Sequence, residues 1–333
     1  MIPAQPAPQT ATDRGHLLTE QPNPASAQLD RLSTAALVQL FCDNDLQPQR
    51  AVAAAAPALT AAVDAIAERL RAGGRLFYLG AGTSGRLGVL DAAECPPTFC
   101  SAPELVQGVL AGGAPALLRS SEGLEDLFDA GRQDLEARGF GPADCLVGIA
   151  AGGTTPYVLG GLSHARALGA LAIAMACVPA EQAPMPCAID IRLLTGPELL
   201  TGSTRLKAGT ATKMALNILS TGVMVRLGKV HGNRMVDVAV TNSKLEDRAL
   251  RILRDLAGVE REQGAALLQA AGGSVKLALL MERAQLQAQE AAAMLERHGP
   301  SLRDALEAVG RGADPADREG STASGTGTGA ATR

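Results

Sequence analysis

Short apolar runs of strand length recur through the middle of the chain, at 76–79, 105–110, 145–150, 170–176 and 189–194. Most are separated by stretches long enough for a crossover helix, so the pattern predicts an α/β fold with a doubly wound, mostly parallel sheet. In such a sheet ligands sit at the carboxyl ends of the strands. Upstream, Val52, Leu59, Val63, Ile66 and Leu70 keep helical spacing, which predicts one long amphipathic helix over 49–71, ended by Gly73-Gly74. From 245 to 310 the pattern becomes wholly helical, with breaks near 257 and 272, and predicts an appended three-helix module. The expected organisation is a helical N-terminal segment over 15–59, a sheet domain over 60–244, and that module. The tails, 1–14 and 311–333, are rich in Ala, Pro, Gln, Gly, Ser and Thr, compositions that build no core, and are expected to be disordered. No internal repeat stands out.

Composition narrows the class. Of the 333 residues 47% are hydrophobic but only 2% aromatic, with no Trp, which suits Ala- and Leu-rich helices packed on a sheet better than an aromatic-rich β-sandwich. The formal net charge is -4 and the Lys and Arg residues are dispersed, so no nucleic-acid partner is expected. The six cysteines form no CxxC pair and have no His at metal spacing, which points to reduced structural thiols and no zinc. The first residues lack a basic and then apolar leader, and no apolar run reaches the roughly 18 residues that span a bilayer. A cytoplasmic protein without membrane contact is therefore expected.

The candidate chemistry lies at the strand ends. Gly80, Gly82 and Gly85 follow the first strand, with Thr83, Ser84 and Arg86 beside them; a helix starting there turns backbone N–H groups and two hydroxyls toward an anion. The GxGxxG spacing alone would suit a dinucleotide. A nicotinamide site, however, wants an acidic residue about 20 positions on to hold the ribose, and 110–115 has no carboxylate. A terminal phosphomonoester fits better. A second glycine loop, 148–156, carries Gly152 and Thr154, and a third polar segment, 201–210, carries Ser203, Thr204, Arg205 and Lys207. The three converge on one ligand only if the sheet is wound as predicted; the plainer reading makes each a capped strand-to-helix turn.

The segments Thr19-Glu20…Asn23…Ser26…Leu29-Asp30…Ser33-Thr34, 80–98, Glu122-Gly-Leu-Glu125-Asp126, 201–210 and Gly232-Asn233…Met235-Val-Asp237 occur in order over most of the chain. In these it resembles the N-acetylmuramic acid 6-phosphate etherases. The resemblance implies a sugar isomerase (SIS) fold with a ubiquitin-associated-like C-terminal module, a phosphorylated amino sugar as substrate, and no metal or cofactor. It implies cleavage of the D-lactyl ether in peptidoglycan amino-sugar recycling, with Glu94 as the acid for lactate departure and Glu125 as the base at C2. The residues expected to bind the substrate and its phosphate are Gly82, Thr83, Ser84, Arg86, Gly152, Thr154, Ser203, Thr204 and Lys207. Without the resemblance, Glu94 reads as a solvated residue at a helix end before Cys95-Pro96, and Glu125 as a first-turn acid that suits a helix dipole.

About ten helical residues separate the first loop from Glu94, a rise of roughly 15 Å and more than the span from C6 to C3 of one sugar. That predicts a homodimer in which Glu94 serves the partner's site. Two positions depart from the family: relatives commonly have Ser where this chain has Gly152 and Arg where it has Thr154, so Arg205 or Lys207 is expected to compensate. His231 replaces a usual aromatic and is left out of the site. The rival readings are a non-catalytic sugar-phosphate sensor of the same fold and, more remotely, a dehydrogenase.

Overall fold

The structure, a computed structural model, describes residues 13–119, 122–240 and 242–312. The tails predicted to be disordered lie almost wholly outside that range. The chain forms two compact units, Met1–Pro96 with Ser101–Val223, and Pro97–Cys100 with Met224–Arg333.

In the first unit Ser33 accepts the Ala36 N–H at 3.2 Å and opens helix α1 (Thr34–Asn44). The single long helix predicted next is two helices, α2 (Leu46–Ala54) and α3 (Ala56–Arg71). The break falls at Ala55 because Pro57, in the first turn of α3, has no N–H to continue the ladder. α3 buries Leu59, Ala62, Ile66 and Leu70, and ends as predicted at the two glycines, Gly73 at φ 90° and Gly74 donating to Arg69 O at 2.9 Å.

Then come β1 (Leu76–Gly80), α4 (Gly82–Phe99), β2 (Val106–Leu110), the short α5 (Pro115–Leu118), α6 (Phe128–Glu136), β3 (Cys145–Ile149), α7 (Pro156–Ala167), β4 (Leu171–Ala176), β5 (Ile189–Arg192) and α8 (Lys207–Arg226). All five predicted strands form. They pair in parallel throughout, in the order β2-β1-β3-β4-β5, with Gly80 opposite both Leu110 and Ile149. The order reverses direction between β1 and β3, which makes their carboxyl ends the crevice where a doubly wound sheet takes its ligand. β1 and β3 are buried at every position, as strands covered on both faces must be. One departure is the β4-to-β5 connection, 177–188, which contains no helix.

Helices α6 and α7 touch through glycines. A methyl on Gly160 would run into the Phe128 carbonyl, and one on Gly131 into the Tyr157 carbonyl. Gly160→Ala should therefore push α6 off α7 and cost about 1–3 kcal/mol. The check is urea unfolding, in which the midpoint falls while the slope is unchanged.

The second unit holds a β6 (Val230–His231) and β7 (Arg234–Met235) hairpin around Gly232-Asn233, with Gly232 at φ 58°. The sequence reading missed it, although a Gly-Asn pair between two short runs is a hairpin signal. Five helices follow in place of the three predicted: α9 (Ser243–Ala257), α10 (Arg261–Ala270), α11 (Val275–Ala284), α12 (Ala288–His298) and α13 (Leu302–Gly312). The breaks near 257 and 272 are present. Of the two extra ones, that at Gln285 was hidden because a non-glycine takes the left-handed conformation (φ 53°) and Gln287 with Glu290 then caps α12. Gly299-Pro300 makes the other. Lys276, buried in this unit, donates to Asp237 at 2.6 Å, Pro300 O at 2.6 Å and Gly228 O at 3.0 Å, so its charge is paired and its donors are used.

Candidate functional site

The first loop is built by contact between backbones. A side chain on Gly85 would collide with the Gly80 carbonyl, and one on Gly80 would come within 2.6 Å of Gly85 N. Only glycines let α4 start this close to the end of β1. Gly82, at φ 52°, makes the turn, and no acidic residue occupies the first turn of α4. The amides of Thr83 and Ser84 and the positive end of the helix therefore present an anion site. Arg86 faces elsewhere in part: its Nε donates to Ala116 O at 3.0 Å, which ties it to the segment after β2.

Because Gly80 lies opposite Ile149, the second loop starts beside the first. Gly153, at φ 71°, already sits where a Cβ would be 2.8 Å from that of Ala183, and Thr154 and Thr155 lead into Pro156 at the start of α7. The third segment comes to the first through α8, where the Thr83 methyl is 3.6 Å from the Cβ position of Gly209. The winding thus brings together the three polar segments that the sequence could join only conditionally.

Just ahead of the third segment lies a residue that sequence reasoning passed over. Glu198 is 1% exposed and accepts the first amides of α8, Lys207 N at 3.1 Å and Ala208 N at 2.9 Å. Those amides are thereby taken, so the start of α8 offers no free helix end to an anion. Lys207 is itself 3% exposed, with Nζ 4.0 Å from the Cβ position of Gly196. Burial pushes the Lys207 ammonium below its ordinary pKa and the Glu198 carboxyl above its own, while their mutual attraction works against both shifts. Arg205 is exposed. The signal for Glu198 was the Gly-Pro-Glu just ahead of the donor-rich run; a search for donors does not find an acceptor that silences two of them.

The two glutamates are placed differently. Glu125 lies in the loop between the turn Glu122–Leu124 and α6, not in the first turn of a helix. It is half-buried, and its carbonyl accepts the Tyr157 N–H at 3.0 Å, which holds it against the start of α7 beside the second loop. Glu94 is exposed, on α4, about ten residues and roughly 15 Å beyond Ser84. The helix does not end before Pro96 but runs through both prolines to Phe99. One turn back, the buried Asp91 accepts the Ser220 hydroxyl at 3.1 Å and ties α4 to α8. Within one chain, then, the fold gathers the three loops and Glu125, and leaves Glu94 far along the helix.

Comparison with known proteins shows the family of the chain. Residues 58–166 match the family described as the glucokinase regulatory protein N-terminal SIS domain, and 232–293 that described as the C-terminal lid domain of glucokinase regulatory protein. Over 305 residues the chain is 74% identical to an N-acetylmuramic acid 6-phosphate etherase of Synechococcus sp. (strain CC9902), covering 92% of this chain and 96% of that one. It is 72% identical to one of Prochlorococcus marinus (strain MIT 9303), covering 90% and 94%, and 63% identical to one of Synechocystis sp. (strain ATCC 27184 / PCC 6803 / Kazusa), covering 89% and 97%. The chain belongs to the N-acetylmuramic acid 6-phosphate etherase family.

As an etherase it is a carbon–oxygen lyase of amino-sugar recycling. The dehydrogenase reading fails: β2 ends at Leu110 and runs into Gly112-Gly113 at φ 85° and 63°, with no carboxylate there for a ribose.

Proposed function

We propose that this etherase cleaves the D-lactyl ether of N-acetylmuramic acid 6-phosphate with Glu125 as base at C2 and Glu94 of the partner subunit as acid at the ether oxygen. The observation that carries the reading is the placement of the two residues, the Glu125 backbone held beside the loops by the Tyr157 N–H and Glu94 exposed at the far part of α4. An exposed acid roughly 15 Å from its own phosphate loop serves no sugar bound there, but it is free to enter a second copy's site. The phosphate lies at the first turn of α4, on Gly82, Thr83 and Ser84, with Gly152 and Thr154 beside it and Ser203, Thr204 and Lys207 opposite. Lys207 supplies the charge in place of an arginine at 154, and Arg86 supports the loop from behind.

In the open-chain sugar the aldehyde acidifies the C2 hydrogen. Glu125 takes that proton, the C3–O bond breaks with its electron pair going to the lactyl oxygen, and Glu94 protonates that oxygen. D-lactate and a 2,3-unsaturated aldehyde result. Glu94, now a carboxylate, takes a proton from water as hydroxide adds at C3; Glu125 returns its proton to C2. N-acetylglucosamine 6-phosphate forms and both glutamates are reset. The chemistry needs one carboxyl protonated and one ionised, which a closed pocket arranges by giving them different surroundings. Six unpaired cysteines support a reducing, cytoplasmic location.

The test is D-lactate release from N-acetylmuramic acid 6-phosphate by the purified protein. Release at a steady multiple-turnover rate supports the reading. Tight phosphosugar binding without lactate would instead make the chain a sensor, the activity suggested by the regulatory protein whose domains it matches.

A further inference from the structure

The segment ahead of α1 packs against the second loop and the run leading into the third segment. It is held at several points. Leu17 and Thr19 are 1% and 0% exposed. Leu18 N donates to Gln182 Oε1 at 2.9 Å, and Asn23 Nδ2 donates to Pro197 O at 2.9 Å. Thr19 Oγ1 is 3.7 Å from the Cβ position of Gly152, on which Thr154 Oγ1 converges at 3.8 Å. Glu20 Oε2 is 3.0 Å from the Cβ position of Gly202, which sits at φ 75°.

Thr19 and Glu20 therefore reach the second loop and the third segment at once. Packing accounts for Leu17. It does not account for Glu20, a half-buried carboxylate whose one hydrogen bond among the described residues is the Thr19 hydroxyl at 3.4 Å and which no described cation pairs. A carboxylate is only an acceptor and repels a phosphate, so in a phosphosugar pocket it faces the uncharged donors of the sugar.

We propose that Glu20 is a specificity-determining residue of the etherase site: its carboxylate, positioned by the Thr19 hydroxyl and by the absent side chain of Gly202, accepts hydrogen bonds from O–H or N–H groups of the amino sugar. The proposal rests on the etherase reading. A site built to bond a substrate donor discriminates strongly against ligands that lack it, since its own polar group is then left unpaired. A ligand that is phosphate alone draws nothing from Glu20.

The experiment compares wild type, Glu20→Gln and Glu20→Ala in lactate release, with inorganic phosphate as competitor and thermal melting alongside. In both variants KM for N-acetylmuramic acid 6-phosphate should rise about 10- to 100-fold. The inhibition constant of inorganic phosphate should stay within about twofold, and the melting temperature near that of wild type. Unchanged KM overturns the proposal. So does a rise in KM matched by an equal weakening of phosphate, or accompanied by a large drop in melting temperature, because either means the segment merely props up the loops. Asn23→Ala removes a tether without touching the carboxylate; if it reproduces the selective KM effect, the role belongs to the segment and not to Glu20. Failure of the etherase reading shows separately, as no lactate from wild type, and the affinity ratio of N-acetylglucosamine 6-phosphate to inorganic phosphate then decides the proposal in the same way.

Discussion

With Glu125→Ala, D-lactate release should fall by about 10² to 10⁴, and exchange of the C2 hydrogen with solvent deuterium should be lost with it. The base acts first. Without it the C2 proton stays on, so neither elimination nor exchange occurs. Glu94→Ala should be as severe in lactate release but should leave exchange at C2, because Glu125 can still remove and return the proton while the ether oxygen waits for an acid. Neither variant should lose phosphosugar binding, since the first loop is shaped by the backbone of Gly80, Gly82 and Gly85 and the start of α8 is held by Glu198. Mass spectrometry of recovered substrate in deuterated water checks both. Exchange lost in the Glu94 variant and kept in the Glu125 variant would reverse the two roles.

Mixing the two inactive variants should restore activity. If Glu94 serves the partner's site, a heterodimer of Glu94→Ala and Glu125→Ala has one site with both wild-type glutamates and one with neither. Half the dimers are mixed after random exchange and each has one working site of two, so about a quarter of wild-type activity should return. Each variant alone stays inactive. If both glutamates served a site within one chain, no pairing would rebuild it and the mixture would remain dead. The measurement is lactate release after co-refolding or subunit exchange at equal concentrations, with the total protein held fixed. The prediction comes from one dimension of the fold: α4 is a continuous helix from Gly82 to Phe99, and a helix does not fold back on itself to carry Glu94 toward Ser84.

Much of this was legible in the sequence, for a physical reason. Buried strands such as Leu76–Gly80 and Cys145–Ile149 are apolar at nearly every position because both faces are covered, and glycines such as Gly82 mark places where the backbone must turn or approach closely. These are local constraints, and local sequence reports them. They determined the parallel α/β class, the tight glycine turn after the first strand, and, through the motif resemblance, the etherase family. The sequence misjudged what depends on a single dihedral. It ran α2 and α3 together although Pro57 divides them, and it missed the helix break at Gln285.

What only the tertiary structure decided are relations between segments far apart in the chain. It showed that the first two loops start side by side at the ends of β1 and β3, that the start of α8 packs against Thr83, and that Glu198 uses up the amides there. It showed too that Tyr157 holds Glu125 and that Thr19 and Glu20 reach Gly152 and Gly202. Such contacts join residues whose spacing follows no helix or strand period, so no pattern along the chain encodes them. They exist only once the strand order is set and burial has forced each polar group to find a partner.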